Sequence, residues 1–148
     1  MPVVNLYNSI YRVLANDQDV LFYLGIDQIE DKAEALLARA EKIQKRAKPQ
    51  DLIERLPLIA FYAPPGEIDR GNQEVYVTPV VFDVYTRDDV DRAQRISSRI
   101  VDLLHRKIIP VEGVDSFETR FLTAHESSTD LANTYCFTTV LEFSISIT

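Results

Sequence analysis

Hydrophobic and polar residues alternate most regularly near the end of the chain, in residues 135–147. Alternation with a period of two is typical of a strand with one buried face, and a slip of one residue would expose every aromatic side chain. The pattern therefore predicts a strand with a fixed register. Its core-facing side chains are expected to be Tyr135, Phe137, Thr139, Leu141, Phe143, Ile145 and Ile147.

The region from 58 to 86 predicts a hairpin of two strands. Residues 58–63, LIAFYA, have the length and composition of a strand. In residues 74–86 the odd-numbered and even-numbered positions, which point to opposite faces of a strand, are both largely apolar. This strand is therefore expected to be covered on both faces. Pro79 cannot donate to a strand ladder and places the first half of the strand at an edge or a bulge. Residues 63–73 are rich in proline and glycine and predict a long, exposed tip.

A helix is predicted over residues 88–107, where apolar residues recur at intervals of three and four. Thr86 and Asp89 have the spacing of a capping box at its start. Acidic residues stand four positions before three of its four arginines, which indicates exposed ion pairs rather than a stripe for nucleic acid. Arg99 has no acidic residue at this spacing.

The first 48 residues predict three helices. The first covers about 3–15, and the second is short, capped by Asp19 and ended by Gly25. The third covers about 28–47, is rich in alanine and charged residues, and is expected to dock loosely through one apolar side before Pro49. A basic cluster falls in its last turns and is explained by the helix dipole: Lys42, Lys45, Arg46 and Lys48.

Residues 116–126 predict one more alternating strand, joined to the last strand by a turn that ends in Asn133. Strands and helices that do not strictly alternate favour an α+β fold. We therefore predict one α+β domain over residues 1–148, with a mostly antiparallel four-stranded sheet, helices packed on it and extended hairpin loops.

Composition narrows the class of protein. The 148 residues carry a net charge of −7 and are 46% hydrophobic, which is typical of a globular chain and argues against a tight grip on nucleic acid. No apolar run approaches the roughly 20 residues that span a bilayer, and the first residues lack the features of a signal peptide. We expect a protein that is made and kept in the cytoplasm, without a membrane partner.

Several reactive side chains lie close together in the sequence but match no catalytic motif. His125, Glu126, Ser127, Ser128 and Asp130 occur without HExxH or GxSxG, and the four glycines form no phosphate-binding loop. A turn that satisfies its own backbone is the preferred interpretation. We expect no catalytic residue, no cofactor and no metal, and a protein that acts through its surfaces. The single Cys136 is interpreted as a small interior hydrophobe and His105 as a partner of the helix dipole.

Three stretches resemble, in pattern and order, the tail terminator (tail completion, head-to-tail joining) proteins of long-tailed bacteriophages. They are NLYNSIYRVLAND, VFDVYTRDDVDRAQRISSRIVDLLH and FETRFLTAHESSTDLANTYCFTTVLEFSI. The resemblance covers the chain from about Ile53 onward and the first 15 residues in outline. It implies an α+β subunit that closes into a ring, usually a hexamer, at the head-proximal end of the tail tube. Such a ring ends tube polymerisation and joins the tail to the head connector.

The resemblance also implies partners: further copies of the chain, the tail tube protein and the connector or stopper protein, with genome DNA only passing through the lumen. The protein would be part of the virion tail or neck, assembled in the host cytoplasm, and would not be an enzyme. Alternatives are another neck component (stopper or adaptor), a tail tube subunit, or a small ligand-binding α+β domain. The residues expected to contact other subunits or partners lie in two tips: Pro64, Pro65, Glu67, Asp69, Arg70, Asn72, Ser127, Ser128, Asp130 and Asn133.

Overall fold

The computed structural model describes residues 2–147, and the side chains of residues 3–147. The described chain consists of helices, strands and one short 3₁₀ turn at Ile53–Arg55. The helices are α1 (Pro2–Ala15), α2 (Gln18–Leu24), α3 (Lys32–Lys42) and α4 (Val90–Leu104). The strands are β1 (Ile43–Gln44), β2 (Leu58–Tyr62), β3 (Glu67–Ile68), β4 (Val75–Thr86), β5 (Arg120–Ser127) and β6 (Tyr135–Ser146).

The described strands form one six-stranded sheet in the order β1-β2-β4-β6-β5, with β3 paired to β4. All pairs are antiparallel except β1 with β2. The centre of the sheet is the β4–β6 pair, which runs from Val75 opposite Ser146 to Thr86 opposite Tyr135. The predicted α+β fold with a mostly antiparallel sheet is confirmed. The predicted number of four strands is wrong, because β1 and β3 are only two residues long and too short for a periodic signal.

The core lies between one face of the sheet and the helices. Phe82 of β4 and Leu141 of β6 are fully buried on this face, and Phe61 of β2 stacks on Phe82 with ring centroids 5.6 Å apart. The predicted facing of β6 is confirmed for Phe143, which is only 3% exposed. It is wrong for Ile147, which lies beyond the end of the strand and is 45% exposed. Helix α4 contributes the other side of the core through its predicted apolar stripe: Ala93, Ile96, Ser97, Ile100 and Leu104.

The opposite face of β4 is only half-buried, so the prediction that this strand is covered on both faces is wrong. Val77, Val81 and Tyr85 remain partly exposed there. β-branched and aromatic residues suit a strand whichever way they point, so composition alone could not tell the two faces apart. Pro79 pairs with Glu142 of β6 and falls between the parts of β4 that pair with β3 and with β2, so the other side of β4 has no strand partner at this residue.

Helix α3 is shorter than predicted. Asp31 caps it by accepting hydrogen bonds from the N–H groups of Ala33 and Glu34, and the helix ends at Lys42. It ends there because Ile43 leaves the helix to pair with Ile59 of β2. The predicted span of 28–47 is therefore wrong at both ends. Lys45, Arg46 and Lys48 lie beyond the helix and do not act on its dipole, contrary to the sequence-based interpretation.

Two predicted caps lie at different residues. Asp17, not Asp19, caps α2 by accepting the Val20 N–H at 3.0 Å, whereas Gly25 ends this helix with φ +77° as predicted. Helix α4 begins after Asp89, whose carboxylate accepts from the Arg92 N–H at 3.0 Å. Thr86 instead holds the turn before the helix, since its hydroxyl accepts from the Asp89 N–H.

The arginines of α4 follow the predicted pairing only in part. Arg95 pairs with Asp91 at 2.7 Å as predicted, whereas Arg92 pairs with Asp89 and Arg106 with Glu118 of the following loop. Arg99 forms two hydrogen bonds to the carboxylate of Asp17, 82 residues earlier. This ion pair ties α2 to α4. His105 also has a role that the sequence did not indicate, because its Nδ1 accepts from the N–H of Phe121 in β5 at 3.0 Å.

Candidate assembly surfaces

The first predicted contact tip, residues 64–73, is an ordered segment paired to the start of β4. Strand β3 supplies the backbone pairing, and Gly66 donates its N–H to the Tyr76 hydroxyl at 3.1 Å. A Cβ at Gly66 would lie 2.5 Å from the carbonyl oxygen of Val77, so this approach requires glycine. The tip is thus held in one conformation by the sheet that it extends.

Two polar residues of this tip shape its backbone. Asp69 accepts the Gly71 N–H and Asn72 accepts the Glu74 N–H, each at 3.0 Å. Side chains that bond to their own turn are less free to bind a partner. Among the tip residues predicted to make contacts, the exposed ones whose side chains make no hydrogen bond to the described residues are Pro65, Glu67 and Arg70.

The second predicted contact tip joins β5 to β6. Ser127 is the last residue of β5, and its hydroxyl hydrogen bonds to that of Thr138 in β6. Asn133 has φ +57°, a left-handed conformation that asparagine tolerates better than most residues. Ser128 and Asp130 are exposed and make no side-chain hydrogen bond within residues 2–147.

The structure does not bring the two tips together. The first adjoins Val75 at the start of β4, and the second adjoins Tyr135, which lies opposite Thr86 at the other end of β4. Eleven steps along β4 at about 3.3 Å per residue separate these ends by about 36 Å. If both tips make contacts, they contact different partners or different copies.

A polar cluster that the sequence did not indicate lies on the helix-free face of the sheet. Thr138 donates its hydroxyl to Asp83 of β4 at 2.6 Å, and the Cys136 thiol lies 4.0 Å from the Thr138 oxygen. The cluster lines an open concavity of about 370 Å³ that also includes Tyr85 and His125. The cluster depends on the pairing of β4 with β6, because this pairing places Asp83 opposite Thr138. The spacing of these residues in the sequence does not indicate the contact.

Burial dominates the electrostatics of this cluster. It raises the pKa of Asp83, although the hydrogen bond from Thr138 and the nearby His125 act in the opposite direction. Burial, together with the neighbouring Asp83, raises the pKa of Cys136 to about 11. A thiol with a raised pKa is a poor nucleophile, because only the thiolate reacts. The interpretation of Cys136 as an interior hydrophobe agrees with this environment.

Helix α3 docks on the domain through Ala38, but its leucines face outward, contrary to the prediction that they lie on the docking side. None of the helix's residues is buried, and Leu36 and Leu37 are 63% and 60% exposed. Arg39 lies at the inner side of the helix, and its Nε atom is buried without a hydrogen-bond partner among the described residues. An amphipathic helix that turns its leucines away from its own core presents an apolar surface to a partner.

A groove of about 400 Å³ lies between α4, the edge strand β5 and its neighbour β6. Its apolar lining includes Val101, Phe121 and Phe137. The hydroxyls of Ser97 and Thr139 also line it, and both are buried without a hydrogen-bond partner in residues 2–147. The helices therefore leave the β5 side of the sheet uncovered, and every residue of β5 except Ser127 is exposed.

Within residues 2–147, no group of three or more His, Cys, Asp or Glu side chains is placed to hold a metal ion. Among the helices of that same range, none has both the length and the apolar character that crossing a bilayer requires.

Comparison with known proteins shows a similar fold in solved structures. No protein-family model and no curated protein sequence matches this chain. A chain from the virion of the native gene transfer agent (GTA) particle is similar to it with a TM-score of 0.66 and 14% identity, over 95% of this chain and 94% of that chain. A second solved chain is similar with a TM-score of 0.51 and 15% identity, over 90% and 98% of the two chains. Likeness at these identities establishes the fold alone.

Proposed function

We propose that this chain is a structural protein of a phage or phage-like virion. The observation that carries the proposal is the shared fold with a chain of the GTA virion, which spans almost the whole length of both chains. The surfaces of the subunit support a role in assembly, because an outward apolar helix and an uncovered sheet edge occur on the same chain.

The proposed place of the protein is the head-proximal end of the tail tube. There it forms a ring, proposed to be a hexamer, that ends tube polymerisation and joins the tail to the connector or stopper protein. Two ordered tips at opposite ends of the β4–β6 pair suit a subunit that meets a different partner at each end. The net charge of −7 suits a lumen through which genome DNA passes without binding.

The proposed role involves no catalysis. On the helix-free face, Asp83 accepts a hydrogen bond from Thr138 and the thiol of Cys136 is buried, which supports this part of the proposal. We propose a purely structural function in the virion, with assembly in the host cytoplasm.

The test combines light scattering on a gel-filtration column with negative-stain microscopy of the full chain, alone and with assembled tail tubes. Closed rings of one size that cap one end of the tubes are the expected result. A chain that stays monomeric alone and leaves both tube ends bare would contradict the proposal. Rings that bind the connector but not the tube would instead identify a stopper or adaptor, and tubes grown from this chain alone would identify a tube subunit.

A further inference from the structure

Two unpartnered surfaces lie at opposite edges of the sheet. Helix α3 leads directly into β1, the strand at one edge, and exposes Leu36 and Leu37 there. The groove between α4 and β5 lies at the other edge, since β5 is the last strand in the sheet order. One surface is an apolar ridge and the other is an apolar recess. The ridge could therefore fill the recess of another copy.

Both surfaces belong to the same layer of the molecule. The groove lies on the helix face of the sheet, because α4 forms one of its walls. Helix α3 packs toward that same face, since its Ala38 contacts the hydrophobic core cluster. A second copy placed edge to edge, with its β1 side next to β5, would bring its α3 over the uncovered strand. The helix layer would then continue from one copy to the next.

The charges of the two edges are opposite. Residues 42–48, which end α3 and include β1, contain four basic residues and no acidic one: Lys42, Lys45, Arg46 and Lys48. Residues 112–130, which lead into β5 and leave it, contain one basic residue, Arg120, and five acidic ones: Glu112, Asp115, Glu118, Glu126 and Asp130. Opposite charge steers these edges together and opposes the pairing of either edge with itself.

The dimensions of the two surfaces agree. Eleven residues of helix are about 16 Å long at 1.5 Å per residue, and the eight residues of β5 are about 26 Å long. The strand is thus long enough to lie beneath the whole helix. Leucine side chains in the groove would remove their own exposed apolar area and that of Phe121 from water together.

We propose that α3 of one copy packs into the α4–β5 groove of the next copy. The contact joins two different surfaces, and a contact of this kind forms a closed ring when its rotation closes. It rests on the proposed ring function and specifies the subunit interface of that ring. It also gives a role to the basic residues after α3, which the helix dipole does not explain.

The first test replaces the exposed leucines with charged residues. The double variant Leu36→Asp, Leu37→Asp is expected to lose the ring and elute as a folded monomer, because two carboxylates cannot enter an apolar groove. The matched control is Val4→Asp, which changes a 58% exposed apolar residue of α1 and should keep the ring. Circular dichroism confirms that both variants are folded. A folded double variant that still forms rings would overturn the proposal.

The second test is disulfide cross-linking of variants that each carry one added cysteine. A mixture of Leu36→Cys and Ala124→Cys chains is expected to give a covalent dimer under mild oxidation, since Ala124 lines the groove. Neither variant alone should do so, because the contact joins unlike surfaces, and wild-type Cys136 is buried and serves as the background control. Dimers from Leu36→Cys alone would refute the head-to-tail contact and indicate a two-fold contact instead.

Failure of the interface and failure of the proposed function give different results. If wild-type rings form but survive the leucine substitutions and give no mixed cross-link, the interface is wrong and the ring function stands. If the wild-type chain forms no ring with or without tail tubes, the function itself is contradicted.

Discussion

Replacing Asp17 tests the contact that holds the N-terminal helices on α4. Its carboxylate accepts the Val20 N–H at 3.0 Å as the cap of α2, and it accepts from Arg99 Nε at 2.9 Å and Nη2 at 2.7 Å. Asp17→Ala removes the cap and both charge-assisted bonds. Asp17→Asn keeps a capping oxygen and removes the charge, so the two variants separate the two contributions.

The expected cost follows from these contacts. Loss of the cap costs about 1 kcal/mol. Loss of hydrogen bonds to a charged group costs about 1.5–3 kcal/mol, and the lower end applies because the Arg99 side chain is 32% exposed and is partly solvated already. We expect Asp17→Ala to lower the free energy of unfolding by about 2–3 kcal/mol and Asp17→Asn by about 1–2 kcal/mol.

Urea denaturation at constant m-value measures these costs. Asp19→Ala is the matched control, because Asp19 is largely exposed, lies 3.5 Å from Arg99 and caps no helix. Its effect should stay within about 0.5 kcal/mol. An Asp19→Ala variant as unstable as Asp17→Ala would refute the assignment of the cap and of the dominant ion pair.

The same contact predicts a dependence on pH. The hydrogen bond from Arg99 is the main cause that lowers the pKa of Asp17 below its ordinary value. A carboxyl group with a depressed pKa in the folded state stabilises the protein above its unfolded pKa, near 4, and loses that contribution as the pH falls through the folded pKa. The stability difference between wild type and Asp17→Asn should therefore be full at pH 7 and shrink below pH 4. A difference that is the same at pH 7 and pH 3 would contradict this reasoning.

Three further predictions concern the core, the thiol and the first tip. Phe143→Ala should lower the free energy of unfolding by about 3–5 kcal/mol. Ile147→Ala, at a 45% exposed residue, should change it by less than about 0.5 kcal/mol. Equal urea midpoints for the two variants would contradict the facing of β6. Because burial raises the pKa of Cys136 to about 11, Ellman's reagent should label this thiol slowly at pH 8 and rapidly only in urea. Rapid labelling of the folded chain would contradict this prediction, because it would show an accessible thiolate. Glu67→Ala combined with Arg70→Ala should weaken the joining of rings to tube or connector without changing stability, and joining at the wild-type level would remove the contact role of this tip.

The sequence predicted the parts of the fold whose pattern is local and long. Strand β6 and helix α4 each carry a repeated period over twelve or more residues, and both form close to the predicted bounds. Most of the predicted residues are buried, and Ile147, past the end of β6, is the exposed exception on that strand. Their signal is strong because one face of each element is buried by the chain itself. Elements of two residues, such as β1 and β3, carry no period and become visible only through their partners.

The errors arise where distant residues determine the local structure. The alanine-rich and charged composition continues past Lys42, and helix propensity alone would extend α3 to about residue 47. Pairing of Ile43 with Ile59 overrides that propensity. Arg99 lacks a partner at helical spacing because its partner, Asp17, lies on another helix.

The candidate surfaces were predicted only in part. Proline, glycine and asparagine identified both loops, since the tendency to form a turn depends on residues that are adjacent in the sequence. Their separation by the length of β4 follows from strand pairing and could not be obtained from the loops themselves. The outward stripe of α3 was identified as apolar but was expected to dock loosely on the domain, because periodicity shows that a face needs burial and does not show which molecule buries it.

The uninterrupted pairing of β4 with β6 has a mechanical consequence. Twelve consecutive cross-strand partners make this pair of strands a rigid connection between the two contact tips of the subunit. If each end of the β4–β6 pair docks on a different layer of a particle, the length of the pair sets the distance between those layers at about 36 Å. The number of residues in one pair of strands would then determine the spacing of neighbouring components.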